Sequence, residues 1–405
     1  MDSTTFSIKG ADVMIRQITA DEIDQCMELT EVAFAVNFTE QELRERRAQI
    51  KPEQVWGYFL DDRLAAQIAV LPLQIYLNGQ LFPMGGIAQV ASYPEMRRQG
   101  MVGRLLARGL EAMRDSGQTI SFLNPFSYSF YRKYGWEYFS EVKSYSLKLA
   151  DHGKFQAAEG HIKRGNANDW EPVHRVYEAF APRYNGMLHR DEAWWRRHVF
   201  RRKLGNMAIY YNGPGEPRGY MLYTIKDRFM GIHEMIYLDE DSRRGLWHFA
   251  GNHDSIVEGV SCSAPADDGF MFSLRNPDVK QELTAFFMVR IVDVLAFMNR
   301  FPFASGEDSV ELTIRLTDEH APWNQGTFRL SVDAEGKAIA AKLEGSESLD
   351  GEGVTCDIQA FSSMMIGYRR PSFLHEIGRL SGSGTEIEKW ERILPKRTTY
   401  LTDFF

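Results

Sequence analysis

Cysteine is scarce in this chain, with three in 405 residues. Cys26, Cys262 and Cys356 lie far apart and form no CxxC pair, which argues against a disulfide scaffold or a thiolate zinc site and for a reducing compartment. His233, His248 and His253 share no ligand spacing with a cysteine, so no metal is expected. No run of about 18 apolar residues occurs, and the opening MDSTTFSIKG lacks an apolar signal core. Positive charge is in deficit, 47 Lys and Arg against 55 Asp and Glu, for a net charge of -8. That balance argues against a nucleic-acid surface and is compatible with a cationic substrate. Neither a G-x-G-x-x-G fingerprint nor a Gly-Lys-Ser/Thr phosphate loop is present. The expectation is a cytoplasmic protein without nucleic-acid or membrane partners.

What the chain has is the composition of a globular protein, 44% hydrophobic and 25% charged, at a length that calls for two or three domains. Periodicity predicts helices at 20–34 and 40–50 and three antiparallel strands at 54–60, 65–76 and 80–91. Asp61-Asp62 and Asn78-Gly79 are read as hairpin turns, the second as type I′. A helix after residue 100, a strand at 118–123, a short helix at 128–134 and a strand at 138–149 complete an α/β unit with a mixed sheet. A weaker echo follows: helices at 170–181 and 192–201, strands at 207–211, 219–226 and 231–238, and a helix at 242–257. The third part is read as an apolar helix at 289–301, strands at 310–316, 327–332 and 337–343, and helices at 357–365 and 372–379.

The densest signal is the run from Gly85 to Leu106. A strand ends at Val90, Ala91 and Ser92. A turn then carries Arg97, Arg98, Gln99 and Gly100, and a helix opens with Met101, Val102 and Gly103. No acid stands between Met96 and Leu110. A helix start free of side-chain bulk presents N–H groups and a positive dipole end to an anion, so the segment is read as a pyrophosphate site. At the later Asp241-Ser242-Arg243-Arg244-Gly245 the preceding acids Asp239, Glu240 and Asp241 oppose a phosphate. That unit is expected to be a structural duplicate.

Arg97-Arg98-Gln99-Gly100-Met101-Val102-Gly103 resembles the R/Q-x-x-G-x-G/A signature of GNAT-type N-acetyltransferases, departing from it at Val102. With the preceding Pro94 it is similar to the form found in the Eis (enhanced intracellular survival) family. Phe130-Tyr131-Arg132-Lys133-Tyr134-Gly135-Trp136 resembles that family's Tyr-x-x-Phe/Tyr-Gly-aromatic segment, and the chain ends on the aromatic Phe405. The resemblance implies tandem GNAT folds plus a C-terminal α+β sterol-carrier-like domain, with boundaries at 1–150, 151–288 and 289–405. It implies acetyl-CoA as co-substrate, Tyr131 as proton donor to the departing thiolate, the Phe405 carboxylate in the active site, Phe126 and Ser127 bordering the cofactor, and a trimer or hexamer.

The chemistry supports these roles. Acetyl transfer to an amine requires a neutral nucleophile, a polarised carbonyl and a proton for the leaving sulfur. Tyr131 supplies a hydroxyl, with Tyr128 and Tyr134 as competitors and Tyr134 the better packing residue. The backbone of Val90, Ala91 and Ser92 suits pantetheine, pairing with it as an added strand would. An α-carboxyl titrates near 3.3–3.7, so that of Phe405 is ionised and accepts a proton. Asp403, Glu31 and Glu40 are candidate acids for a polyamine-like acceptor. The expected activity is acetylation of a cationic, aminoglycoside-like amine in a ternary complex. The rivals are acetylation of protein lysines or polyamines, and a non-catalytic acyl-CoA or lipid carrier.

Overall fold

A computed structural model describes residues 13–152, 155–344 and 353–405; the opening decapeptide read above for signal character lies outside them. The first unit comprises β1 (Val13–Gln17), α1 (Ile23–Phe34), α2 (Glu40–Arg47), β2 (Val55–Leu60), β3 (Arg63–Leu77), β4 (Gln80–Ser92), α3 (Met101–Asp115), β5 (Ile120–Leu123), α4 (Tyr128–Arg132) and β6 (Glu137–Tyr138), and β7 (Glu141–Lys148) follows it. Its turns are those the sequence dictates. Asp61 and Asp62 take φ of 47° and 64°, and Asn78 and Gly79 take 49° and 83°, the paired positive values of type I′. Strands β1 to β4 run antiparallel in order, and β5 adds parallel to β4. Such a parallel crossover needs a helix on one face of the sheet. Here α3 serves, burying Leu105, Leu106, Leu110 and Met113 completely. Each such side chain contributes about 1.5–3 kcal/mol.

The second unit repeats the plan in a seven-stranded sheet, with Glu240–Gly251 as the helix between parallel strands Phe229–Tyr237 and Gly259–Ala264. The third part is a five-stranded sheet built on Val310–Thr317, Gly326–Val332 and Ala338–Lys342. Helices 294–300, 358–365 and 384–393 accompany it, and the shared core includes Phe328 of the sheet with Phe361 and Trp390 of the helices, none of them exposed. All three sheets mix parallel and antiparallel pairs, an α/β architecture throughout.

The units exchange strands instead of dividing end to end. The sequence reading assigns Glu141–Lys148 to the first unit, but β7 pairs within the second sheet. The segment Met288–Ile291 returns to the first sheet between β5 and β6. That segment also corrects the reading of 289–301 as one helix: it is a buried strand, and the helix begins only at Val294, capped by Asp293. A short apolar run buried on both faces carries no period by which to tell strand from helix. The two crossings meet in a seam, where Phe139 N–H donates to the Phe287 carbonyl (3.1 Å) and Phe286 N–H to the Ser140 carbonyl (2.9 Å).

Candidate active site

The site begins with a defect in pairing. Ala88 pairs with Ala69 and Ala91 with Gln67, so Gln89 and Val90 together face a single residue, Ile68. This is a β-bulge, and Gln89 takes φ 50° to make it. On the other side of β4, pairing with β5 stops at Ile87↔Leu123. Residues 88–92 continue on β3 alone, and the strands splay. Val90, Ala91 and Ser92 therefore present a backbone edge with no strand beside it among the described residues, a slot for an extended amide-bearing chain. Because β4 and β5 are parallel, the splay, the start of α3 and the start of α4 share the C-terminal end of the sheet, where α/β ligands bind.

At that end the anion loop is built of backbone. Arg98 and Gly100 take φ of 65° and 79°, and Gly100 caps α3 without any side chain on the first-turn N–H groups. A Cβ on Gly100 would meet nothing within 4 Å, so glycine is needed there for its conformation and not for space. Arg97 and Arg98 are exposed, and Gln99 Oε1 is buried with no hydrogen-bond partner among the described residues. The side chain of Met101 goes into the core and Val102 is half-buried. Gly103 lies against Tyr134, where a Cβ would come within 2.5 Å of its hydroxyl. These three face an anion with main chain only. In the second unit the equivalent helix start is closed, since Asp239 accepts from Ser242 N–H at 2.8 Å with Glu240 and Asp241 following.

Tyr131 is buried among Leu123, Leu105 and Met288 on the α3 side of the sheet, with Phe126 and Phe130 stacked edgewise at 5.3 and 5.1 Å. Burial alone pushes its phenol well above the ordinary value of about 10, and its hydroxyl bonds no described residue. Tyr128 donates to the Phe286 carbonyl (3.4 Å) and Tyr134 packs on Phe130 and His320. Phe126 is 71% exposed, and Ser127 caps α4 by accepting from Phe130 N–H.

Phe405 arrives from the other face. Its ring fills the space a Cβ on Gly86 would need (2.7 Å) and packs on Phe287 at 5.0 Å. Gly86 is one residue before the last β4–β5 pair, so the tail docks where the strands part. Tyr131 and Phe405 thus stand on opposite faces, and the gap between β4 and β5 joins them. The tail is held by a buried network: Arg190 bonds Glu234 through both terminal nitrogens (2.9 and 2.8 Å), Asp403 through Nε (3.0 Å) and Thr402 Oγ1 (2.8 Å). Asp403 also accepts from Trp194 Nε1 (2.8 Å).

This corrects the sequence reading of Asp403 as an acid for the acceptor, because the residue is only 3% exposed and fully paired. Glu31 accepts from Phe38 N–H (2.8 Å), and Glu40 sits in the first turn of α2. Sequence reasoning also passed over Gln89, Gly86 and Arg190. The Gly85-Gly86 pair inside a strand was the available signal, since glycine there marks close approach. Arg190 offered none, as its partners lie 44 and 213 residues away.

Comparisons with known proteins agree with this fold. Residues 14–139 and 186–291 each match an acetyltransferase (GNAT) domain, and residues 294–402 match a sterol carrier protein domain. An uncharacterized N-acetyltransferase of Streptomyces avermitilis is 22% identical over 396 residues, 91% of this chain and 92% of its own. Among solved structures, an Enterococcus faecalis protein described as a probable N-acyltransferase is 28% identical with a TM-score of 0.90, covering 97% of this chain and 100% of its own. Eis1 from Mycobacterium abscessus shares the fold at a TM-score of 0.80 and 17% identity, with coverage of 97% and 100%.

Proposed function

With two GNAT acetyltransferase domains and a sterol carrier protein domain in one chain folded as Eis1 is, the protein is a GNAT-type acetyltransferase, and we propose that it passes the acetyl group of acetyl-CoA directly to an amine of a small molecule. The observation that carries this is the docking of Phe405 on Gly86, beside the splay of β4 and β5. GNAT domains use acetyl-CoA, and the residues present fit it. Arg97, Arg98 and the main chain of 100–103 hold the pyrophosphate, while Val90 to Ser92 pair with the pantetheine amides. The Phe405 carboxylate takes the proton of the attacking amine. A carbon–nitrogen bond forms at the acetyl carbonyl as the carbon–sulfur bond breaks, and Tyr131 donates its proton to the sulfur. The third domain serves to deliver the tail.

Free-thiol release from acetyl-CoA, measured with an aminoglycoside, a polyamine, a lysine peptide and simple amino acids, tests the reading. Amine-dependent release with intersecting double-reciprocal lines is expected. Parallel lines, the mark of a ping-pong route, would overturn direct transfer, and binding without release would leave a carrier. The double variant Arg97→Ala, Arg98→Ala is expected to raise KM for acetyl-CoA about 10- to 100-fold, the range of hydrogen bonds to a charged group, and to leave kcat within about threefold because both states bind the diphosphate equally. A drop in kcat at saturating acetyl-CoA would remove the loop from its assigned role. Assembly as a trimer or hexamer, implied by the Eis resemblance, is a separate proposal for sedimentation.

A further inference from the structure

Beside the C-terminal tail lies a cavity of about 400 Å³, within the range that encloses a small metabolite. Its walls come from the segment 198–203, from strands 229–237 and 259–264, and from Thr402 to Phe404. The helix supplying the first wall widens into a π-type turn at Trp195–Val199, a rare irregularity found mostly at functional sites.

The polar groups of this cavity sort by whether they are already used. Asp403, the only acid among the lining residues, is bound by Arg190 and Trp194. Lys203 is bound to Glu234, itself forked onto Arg190. The groups that remain free are one cation and two hydroxyls, all able to donate. Arg202 lies over the Phe404 ring at 4.7 Å and has no described acid within ion-pairing distance. The hydroxyls of Ser261 and Ser263 bond no described residue. Arg46 of α2, stacked on Phe38 and attracted to Glu42 one turn earlier, is near enough to add to the burial that lowers the Arg202 pKa. Burial, seconded by Arg202, depresses His198, and burial with Lys203 depresses His233, which disfavours a positive charge on either imidazole. A polycation finds no unpaired carboxylate in these walls. An oxyanion finds an open guanidinium fork, two hydroxyls and a second cation.

We infer that this cavity binds an oxyanion group of the acceptor, a carboxylate or a phosphate, so that the substrate is an amine bearing an acid and not a bare polyamine. The inference rests on the acetyl-transfer reading and refines its substrate class. The test compares kcat/KM, by thiol release from the full-length enzyme, within matched pairs: an ω-amino acid against the alkylamine of equal length, and an amino-sugar phosphate against the free amino sugar. In at least one pair the acidic member is expected to be favoured about 10- to 100-fold, the range of one hydrogen bond to a charged group, and the pair that shows it tells carboxylate from phosphate. Arg202→Gln is expected to bring that ratio to about one through KM, and Arg202→Lys to keep part of it. Inorganic phosphate or acetate, tested on the unaltered enzyme, is expected to compete with the acceptor and not with acetyl-CoA. Ratios near one in both pairs while amines still support release, or a polyamine outperforming every acidic amine, would overturn the inference and leave acetyl transfer standing. Release with no amine at all would instead remove the reading beneath it.

Discussion

Tyr131→Phe is expected to lower kcat about 10²–10⁴-fold, the contribution of a general acid, with KM for acetyl-CoA nearly unchanged. Phenylalanine keeps the ring against Phe126 and Phe130 and removes only the oxygen. Since that oxygen bonds no described residue, its loss strands no buried partner, and the melting temperature is expected to hold. Activity lost at constant stability separates a proton donor from a packing residue. The pH profile gives a second check with a definite sign. Burial raises the Tyr131 pKa, so the donor stays protonated as pH climbs past about 10, where an ordinary tyrosine ionises. The alkaline side of the wild-type kcat profile is therefore expected to show no fall near that value. The same elevation makes Tyr131 a weak acid until the sulfur carries charge, so its help belongs to the transition state. Removing Phe405 is expected to cost a similar factor, and the double variant not to multiply the two, as groups of one proton circuit act together. Near-normal kcat in Tyr131→Phe would sink the assignment.

Local chemistry made much of this legible in the sequence. The Asn78-Gly79 turn, the acid-free start of α3 and the apolar stripe at Leu105, Leu106, Leu110 and Met113 each depend on neighbours within one turn or hairpin, and each stands as read. The motif could be read as one anion-binding unit because loop and helix are contiguous. Pairing across the chain was what failed to show. Nothing in Glu141–Lys148 tells that it joins the second sheet, since a strand's partner is set by topology and not by its own alternation. The bulge at Gln89 is a mismatch between two strands and has no existence in one. The charge of Asp403 was visible but not its burial, and its partner Arg190 is 213 residues away. The proposed acceptor side is assembled from such distant pieces, which is why the sequence favoured a cationic substrate from net charge while the cavity walls leave Arg202 without an acid partner.

Arg190→Met is expected to destabilise the protein by about 3–5 kcal/mol, the cost of taking one member from a buried ion network. Methionine matches the stem, and Tyr177 and Trp195, which flank the guanidinium at 3.9 and 4.7 Å, still have something to pack on. What remains is charge: Asp403 keeps only Trp194 and, at 3.5 Å, Tyr177, while Glu234 keeps Lys203 and Tyr220. Thr402 loses its donor as well. The tail is then free to leave Gly86, and kcat measured well below the melting temperature is expected to fall as far as in the variant without Phe405. The pH dependence has a fixed direction. Burial alone would raise the Glu234 pKa, but Arg190 and Lys203 outweigh it and hold the carboxyl far below its ordinary range. Stability from this group is therefore present above the unfolded value near 4.3 and drains away as pH falls toward the depressed native value. Without Arg190 the native pKa rises, so acid unfolding is expected at higher pH. Arg190→Lys keeps a charge but not the fork that reaches Glu234, Asp403 and Thr402 together, and is expected to fall between. Full kcat and an unshifted acid transition in Arg190→Met would show that the tail holds its place on Gly86 by its aromatic contacts alone.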